Sequence, residues 1–240
     1  MDAIKFPFAG KVGRGRRANP FARKAAAPEM LVPAVPASAI VEYPVQISLI
    51  DLDRGNGNTS LLEQAVILSV AKALNAATVF EIGTFDGWSA ANLALNLGSS
   101  AKIVTIDLPA QDIGAAKLPL GKYDIQYIMK EASGTKSRDM KNVVQLYGDS
   151  ATYDFSPWFG QCDLVFVDAC HEYEYVRNDS EIALKLVRPG GTILWHDYGT
   201  VFHGVARALN EFYRNDQRFR SLRHIQGTSL CVCRTDPPAA

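Results

Sequence analysis

Val79-Phe-Glu-Ile-Gly-Thr-Phe-Asp-Gly-Trp-Ser89 is the stretch that decides the fold. Val79 to Ile82 is a short apolar, β-favouring run and reads as a buried strand. Gly83 and Gly87 bracket a tight turn, and a helical pattern runs from Ser89 to Leu97 and stops at Gly98. Strand, glycine turn and helix form the opening unit of an open α/β sheet, whose ligands sit at the carboxyl ends of the strands.

The same turn discriminates between ligands. A dinucleotide fingerprint, Gly-x-Gly-x-x-Gly, brings a pyrophosphate onto a helix N-terminus. Here the spacing is Gly-x-x-x-Gly, with Asp86 inside the turn and bulky Trp88 after it. Glu81 and Asp86 would repel a phosphate and suit a cation. S-adenosylmethionine has a sulfonium, an ammonium and no phosphate, so the turn favours it over NAD. A glycine turn with acids can also be a turn and nothing more.

Upstream of the turn, Ser60-Leu-Leu-Glu63 has the capping-box form and starts a helix over Leu61 to Asn75. Its apolar stripe is Leu62, Val66, Val70 and Ala73, with Ile67 and Leu74 beside it and Gln64 and Lys72 on the other side. Downstream, Lys102 to Asp107 is a second strand ending in an acid, 24 residues after Gly83. An acid there can accept from ribose hydroxyls. Residues 109 to 141 are irregular and polar, with short helices and loops long enough to cover a site. Asn142 to Tyr147 is a third strand, followed by Gly148-Asp149-Ser150, where an acid can accept from an adenine amino group.

Cys162 to Asp168 is a fourth strand, continuously apolar at Leu164 to Val167 as a central parallel strand requires. A helix over Glu172 to Val187 follows, then Thr192 to Trp195 as a fifth strand and a helix over Val201 to Asn215. Leu222 to Gln226 and Ser229 to Arg234, joined by Gly227-Thr228, read as an antiparallel hairpin. The expectation is a Rossmann-like α/β fold: a seven-stranded, mostly parallel sheet with an antiparallel C-terminal hairpin strand and helices on both faces.

The chain has 240 residues, enough for one α/β domain, and a formal net charge of zero, so no overall field draws it to nucleic acid or membrane. No apolar run approaches a membrane span. Cys162, Cys170, Cys231 and Cys233 show no disulfide or zinc framework and read as thiols in a reducing, cytoplasmic compartment. Residues 1 to 30 differ in kind, with seven Lys and Arg against Asp2 and Glu29. A Pro/Ala stretch follows at residues 31 to 39. The expected organisation is a basic N-terminal arm and linker at 1–44 and a catalytic domain at 45–240, with Pro237-Pro-Ala-Ala frayed. The arm lacks the apolar region of a secretory signal.

Glu81 to Ser89, Thr105-Ile-Asp107, Gly148-Asp149, Asp163 to Asp168 and Leu186 to Gly191 resemble the successive motifs of the class I S-adenosylmethionine-dependent methyltransferases. Asp168-x-x-His171-x-Tyr173 and Trp195-His196-Asp197 resemble the small-molecule O-methyltransferase subgroup. The resemblance spans residues 57 to 230 and implies S-adenosylmethionine as cofactor and a small-molecule acceptor, methylated at a hydroxyl oxygen. By position it implies that Gly83 takes the methionine amino group through its carbonyl, with Glu81, Thr84, Asp86 and Gly87 around the methionine half. Asp107, with Leu108 beside it, would hold the ribose, Asp149 and Ser150 the adenine, and Asp168 would face the methyl group.

Transfer from a sulfonium needs an aligned nucleophile and removal of its proton. His171 and His196 follow central strands directly and each neighbours a carboxylate, so His171, His196 and Asp197 are the catalytic candidates, with His171 as direct base. His203, His224, Tyr173 and Tyr175 read as packing residues. Asp168 and Asp197 could supply oxygen ligands to a divalent metal, but the subgroup's Asp-Asn pair is His196-Asp197 here, which ranks the metal behind the base. Two alternatives stay open: a nucleic-acid methyltransferase tethered by the arm, and a non-catalytic cofactor-binding scaffold. No stacking motif for a flipped base supports the first.

Overall fold

The computed structural model describes residues 28–52, 55 and 57–236. In chain order the elements are β1 (Ala34–Val35), α1 (Leu61–Ala73), β2 (Thr78–Ile82), α2 (Trp88–Leu97), β3 (Lys102–Asp107) and α3 (Lys122–Ile128). They continue as β4 (Val143–Tyr147), β5 (Cys162–Val167), α4 (Tyr173–Leu186), β6 (Val187–Trp195), α5 (His203–Asn215), β7 (Arg223–Ile225) and β8 (Cys231–Arg234). The described residues form one eight-stranded sheet in the order β1-β7-β8-β6-β5-β2-β3-β4. β8 runs antiparallel to both of its neighbours, and the other pairs are parallel.

Seven of these strands are those expected. The strand order reverses between β2 and β5, and such a switch point opens a crevice at the carboxyl ends of the strands. α1 and α2 pack together on one face over Val79, Ile103, Leu164 and Leu194. α4 and α5 pack together on the other over Phe80, Val165, Ile193 and Trp195. Phe80 is fully buried and meets Phe155 and Trp158 edge-on at 5.6 and 6.0 Å. Burying one such side chain contributes about 1.5–3 kcal/mol.

The eighth strand comes from the stretch read as linker. Ala34 and Val35 pair in parallel with His224 and Ile225 at the sheet edge. The Pro33 carbonyl accepts from His224 N and the Val35 carbonyl from Gln226 N, both at 2.9 Å. Proline is tolerated on an edge strand because it lacks only a donor. Val32 beside it is buried. The expected boundary at residue 44 therefore falls beyond a segment that is already part of the sheet. Residues 1–27 of the basic arm, and the tail from Pro237, lie outside the described residues.

α1 differs from its expected pattern. Its capping box forms, Ser60 Oγ accepting from Glu63 N and Glu63 Oε2 from Ser60 N. Leu61 and Leu62, however, are exposed, and Gln64 is fully buried. Gln64 Oε1 accepts from the Thr59 and Ser89 hydroxyls, which offsets the cost of burying the amide oxygen. The outer side of this layer is closed by residues 40–49, where Ile40, Val41, Val45, Ile47 and Leu49 join the apolar cluster. The fifth strand is also longer than expected: β6 starts at Val187, and Arg188-Pro-Gly-Gly191 continues it rather than forming a separate turn.

Candidate active site

At the switch point a cavity of about 920 Å³ opens over the carboxyl ends of β2, β3, β4, β5 and β6. Gly83 is held there by close approach. Its φ is +100°, and a Cβ would lie 2.1 Å from the Asp168 carbonyl oxygen. A side chain is excluded both by backbone conformation and by space. Glu81, Thr84, Asp107, Leu108, Asp149, Ser150 and Asp168 line the cavity, as do His171, His196 and Asp197.

Asp86 and Gly87 do not line it. The Asp86 carboxylate accepts from Trp88 N and the Asn58 amide, each at 3.0 Å, and pairs with Lys136 at 3.3 Å. Gly87 takes a left-handed conformation at the start of α2, and its Cα side faces Gly134 and Ser137. Both residues build the turn.

The glycine turn is wired to its neighbours by a directed hydrogen-bond chain. Gln145 Nε2 donates to Thr84 Oγ1 at 3.0 Å, the Thr84 and Thr105 hydroxyls meet at 2.7 Å, and Thr105 donates to Glu81 Oε2 at 2.6 Å. Because both ends are fixed, Thr84 is the donor to Thr105. Burial raises the Glu81 pKa well above the carboxylate range; the Thr105 bond opposes this, and the charges of Asp168, Asp107 and Asp86 add to it. Burial also pushes Asp107 up to about 6, against hydrogen bonds that include the amides of Leu108, Phe85 and Thr84. Glu81, Asp107 and Asp168 line the cavity together, and a bound cation would relieve their mutual repulsion.

Along another wall of the cavity Asp149 accepts from Lys117 N at 2.7 Å, from Ala151 N at 2.8 Å and from the Tyr175 hydroxyl at 3.0 Å. Tyr175, read from sequence as packing, thus also lines the cavity. Tyr173 instead donates to Glu211, and His224 closes the β7–β8 hairpin on the Thr228 carbonyl.

The histidine end is a cluster of two imidazoles and four carboxylates. His171 Nδ1 meets Asp124 Oδ1 at 2.5 Å and Nε2 meets Asp197 Oδ2 at 2.9 Å. Phe202 stacks on the ring at 3.8 Å. His196 Nδ1 lies 3.0 Å from Asp168 and 3.1 Å from Asp197, and its Nε2 lies 3.3 Å from Glu63. Carboxylates only accept, so each ring nitrogen that faces one carries a proton. Burial disfavours the charged imidazoles, but the carboxylate bonds outweigh it: His171 is raised to about 10, and His196 well above its ordinary value.

A methyltransferase domain model matches residues 80–198, from β2 through the histidine cluster. The chain belongs to the methyltransferases. It is 27% identical over 201 residues to the flavonoid 3',5'-methyltransferase of Vitis vinifera, covering 74% of this chain and 78% of that one. The SAH-bound methyltransferase PaMTH1 of Podospora anserina shares its fold, with a TM-score of 0.53 and 19% identity over 74% of this chain and 79% of the other. The cofactor-bound Rv0187 protein of MTB does so with a TM-score of 0.51 and 19% identity over 76% and 84%.

Two members of the methyltransferase's histidine cluster escaped the sequence. Glu63 was legible only as a capping residue, yet its Oε1 also accepts from Ser229 N and Oγ at 2.8 and 2.7 Å while Oε2 faces His196. Asp124 lies in residues 109–141, which carry no motif, and no pattern marks it. Among the described residues, Asp168, His171 and Asp197 offer donor atoms within 4.8 Å of one another that could hold a metal ion. One imidazole and two carboxylates suit a transition metal or zinc better than magnesium. No helix among the described residues is long and apolar enough to cross a membrane.

Proposed function

We propose that this methyltransferase uses S-adenosylmethionine to methylate a hydroxyl oxygen of a small-molecule acceptor. The observation that carries the reading is the cavity itself, in which the strand-end acids Glu81, Asp107 and Asp168 and two carboxylate-bound histidines line one space. The cofactor supplies an electrophilic methyl on a sulfonium. Asp107 would hold its ribose, Asp149 and Ser150 its adenine, and the Gly83 carbonyl its amino group. Glu81 lies beneath that end and ionises more readily beside a cation.

His171 is the proposed proton acceptor. With Asp197 on Nε2 the ring is held protonated, so it can take a proton only after its Nε2 proton has passed to solvent, which drawing Asp197 to another partner makes easier. The acceptor hydroxyl would then replace Asp197 at Nε2. A divalent ion held by Asp168, His171 and Asp197 would lower the pKa of a bound hydroxyl as a Lewis acid. The Vitis vinifera relative's name supports a flavonoid-type phenol as the first acceptor to try.

Two measurements test this. Calorimetry should show binding of S-adenosylmethionine and not NAD, with Asp107→Ala weakening it by about 1.5–3 kcal/mol through loss of a charged acceptor. Transfer of labelled methyl should be screened across phenols, sugars, hydroxy acids and nucleic acids, with and without chelator. His171→Ala should lower turnover by on the order of 10²–10⁴-fold while cofactor affinity stays near wild type. Tight NAD binding without S-adenosylmethionine binding would overturn the reading. Activity that survives His171→Ala but vanishes with chelator would move proton removal from His171 to the metal.

A further inference from the structure

The segment with the least sequence signal contributes a carboxylate to the histidine cluster. α3 lies between β3 and β4 and closes one side of the cavity with Asp124, Tyr127 and Ile128. It is fixed there by its own packing. The Tyr127 ring meets Phe85 of the glycine turn edge-on at 5.5 Å, and a Cβ on Gly57 would lie 2.6 Å from it. Asp124 is buried in the first turn of this helix. Its Oδ2 accepts from Gly121 N at 3.1 Å, and its Oδ1 accepts from both His171 N at 3.2 Å and His171 Nδ1 at 2.5 Å.

From this we infer that Asp124 is the positioning residue for His171, and that it ties seating of α3 over the cavity to readiness of the proton acceptor. The reasoning rests on the two ends of one ring. Asp124 binds backbone and ring of the same residue, so it fixes both where His171 sits and which nitrogen keeps a proton. With Nδ1–H committed to Asp124, Nε2 is the nitrogen left facing Asp197 and the cavity. Phe202 stacked on the ring and Gly204 packed on the His171 carbonyl oxygen, where a Cβ would lie 2.2 Å away, remove the remaining freedom. This is the arrangement of a base oriented by a third group. Because Tyr127 and Ile128 share α3 with Asp124, an acceptor that settles against them also settles the orienting carboxylate.

The inference rests on the methyl-transfer reading for its kinetic arm, and a nuclear magnetic resonance arm keeps the two separable. In wild-type protein labelled at histidine, the proton on His171 Nδ1 should resonate at low field, as a short bond to a carboxylate requires. In Asp124→Asn it should move upfield. Turnover should fall on the order of 10²-fold, with KM for the acceptor and affinity for S-adenosylmethionine changed less than threefold. Asp124→Ser serves the same purpose should the amide variant fail to fold. An unmoved resonance, or a raised acceptor KM with turnover intact, would overturn the inference and leave Asp124 a helix residue of α3. If wild-type protein methylates no acceptor, the methyl-transfer reading falls, and the His171 resonance alone decides: displaced in the variant it supports the positioning role, unmoved it overturns it.

Discussion

Asp179 lies on α4 with no exposure to solvent, accepts from the Asn178 amide at 3.0 Å, and has a second oxygen without a hydrogen-bond partner among the described residues. Burial raises its pKa to about 7; bonds from Ser150 and Asn178 oppose the shift and the Asp149 charge adds to it. An unfolded aspartate titrates near 3.9. The folded state therefore holds this proton more tightly. Its contribution to stability is fully present below about pH 4 and is lost as pH rises through about 7, by up to roughly 4 kcal/mol. Asp179→Asn removes the titration. Thermal melts from pH 5 to pH 8 should show the variant gaining on wild type by several kcal/mol, and parallel curves would refute the shift. Ser150 lines the cavity, so Asp179, which no motif marks, also bears on it. The acids that were legible, Asp107 and Asp168, each follow a β-favouring run at the carboxyl end of a strand. Asp124 and the second role of Glu63 were not, because their histidine partners lie 47 and 133 residues away in the chain and no local spacing encodes them.

At the scale of elements, period and punctuation located β2 to β8 and their helices because each has either a buried run or a cap. Residues 40–51 were opaque for the opposite reason: they form no regular element, and their backbone is satisfied by side chains. Asn92 and Asn96, one turn apart on α2, act as a substitute strand. Asn92 Oδ1 accepts from Ile50 N at 2.9 Å, Asn96 Oδ1 from Ser48 N at 2.9 Å, and Asn96 Nδ2 donates to the Ser48 carbonyl at 2.7 Å. The Trp88 indole then donates to the carbonyls of Ile50 and Asp51 at 2.9 and 2.7 Å. The segment thus laid along α2 leads to Gly57, Asn58 and Thr59, which line the cavity. Each bond contributes about 0.5–1.5 kcal/mol. Asn92→Ala with Asn96→Ala should therefore lower stability by roughly 2–4 kcal/mol. Amide exchange at Ser48 and Ile50 should accelerate by more than exchange in β5, which follows the global stability. Unchanged exchange at those two amides would show that the ladder does not hold the segment.

At the scale of the molecule, the question is where the domain begins. The +5 charge of residues 1 to 30 set that region apart in the sequence, and the Pro/Ala composition beyond it reads as linker. The structure attaches the chain earlier. The Asn210 amide donates to the Glu29 carbonyl at 2.6 Å and its oxygen accepts from Leu31 N at 3.1 Å. Val32 N donates to the Tyr198 hydroxyl at 3.0 Å, and Tyr198 follows Asp197 of the histidine cluster directly. Val32 and Val41 are both buried, and burying each contributes about 1.5–3 kcal/mol. Two truncations separate the readings. Removing residues 1–27 should leave the melting temperature and S-adenosylmethionine affinity unchanged. Removing residues 1–41 should cost about 3–6 kcal/mol and bare the β7 edge, whose unpaired backbone groups template association. Scattering and melts on both proteins check this: a stable, monodisperse product of the longer truncation would return the boundary to residue 44, and loss of folding on the shorter one would make the basic arm part of the domain.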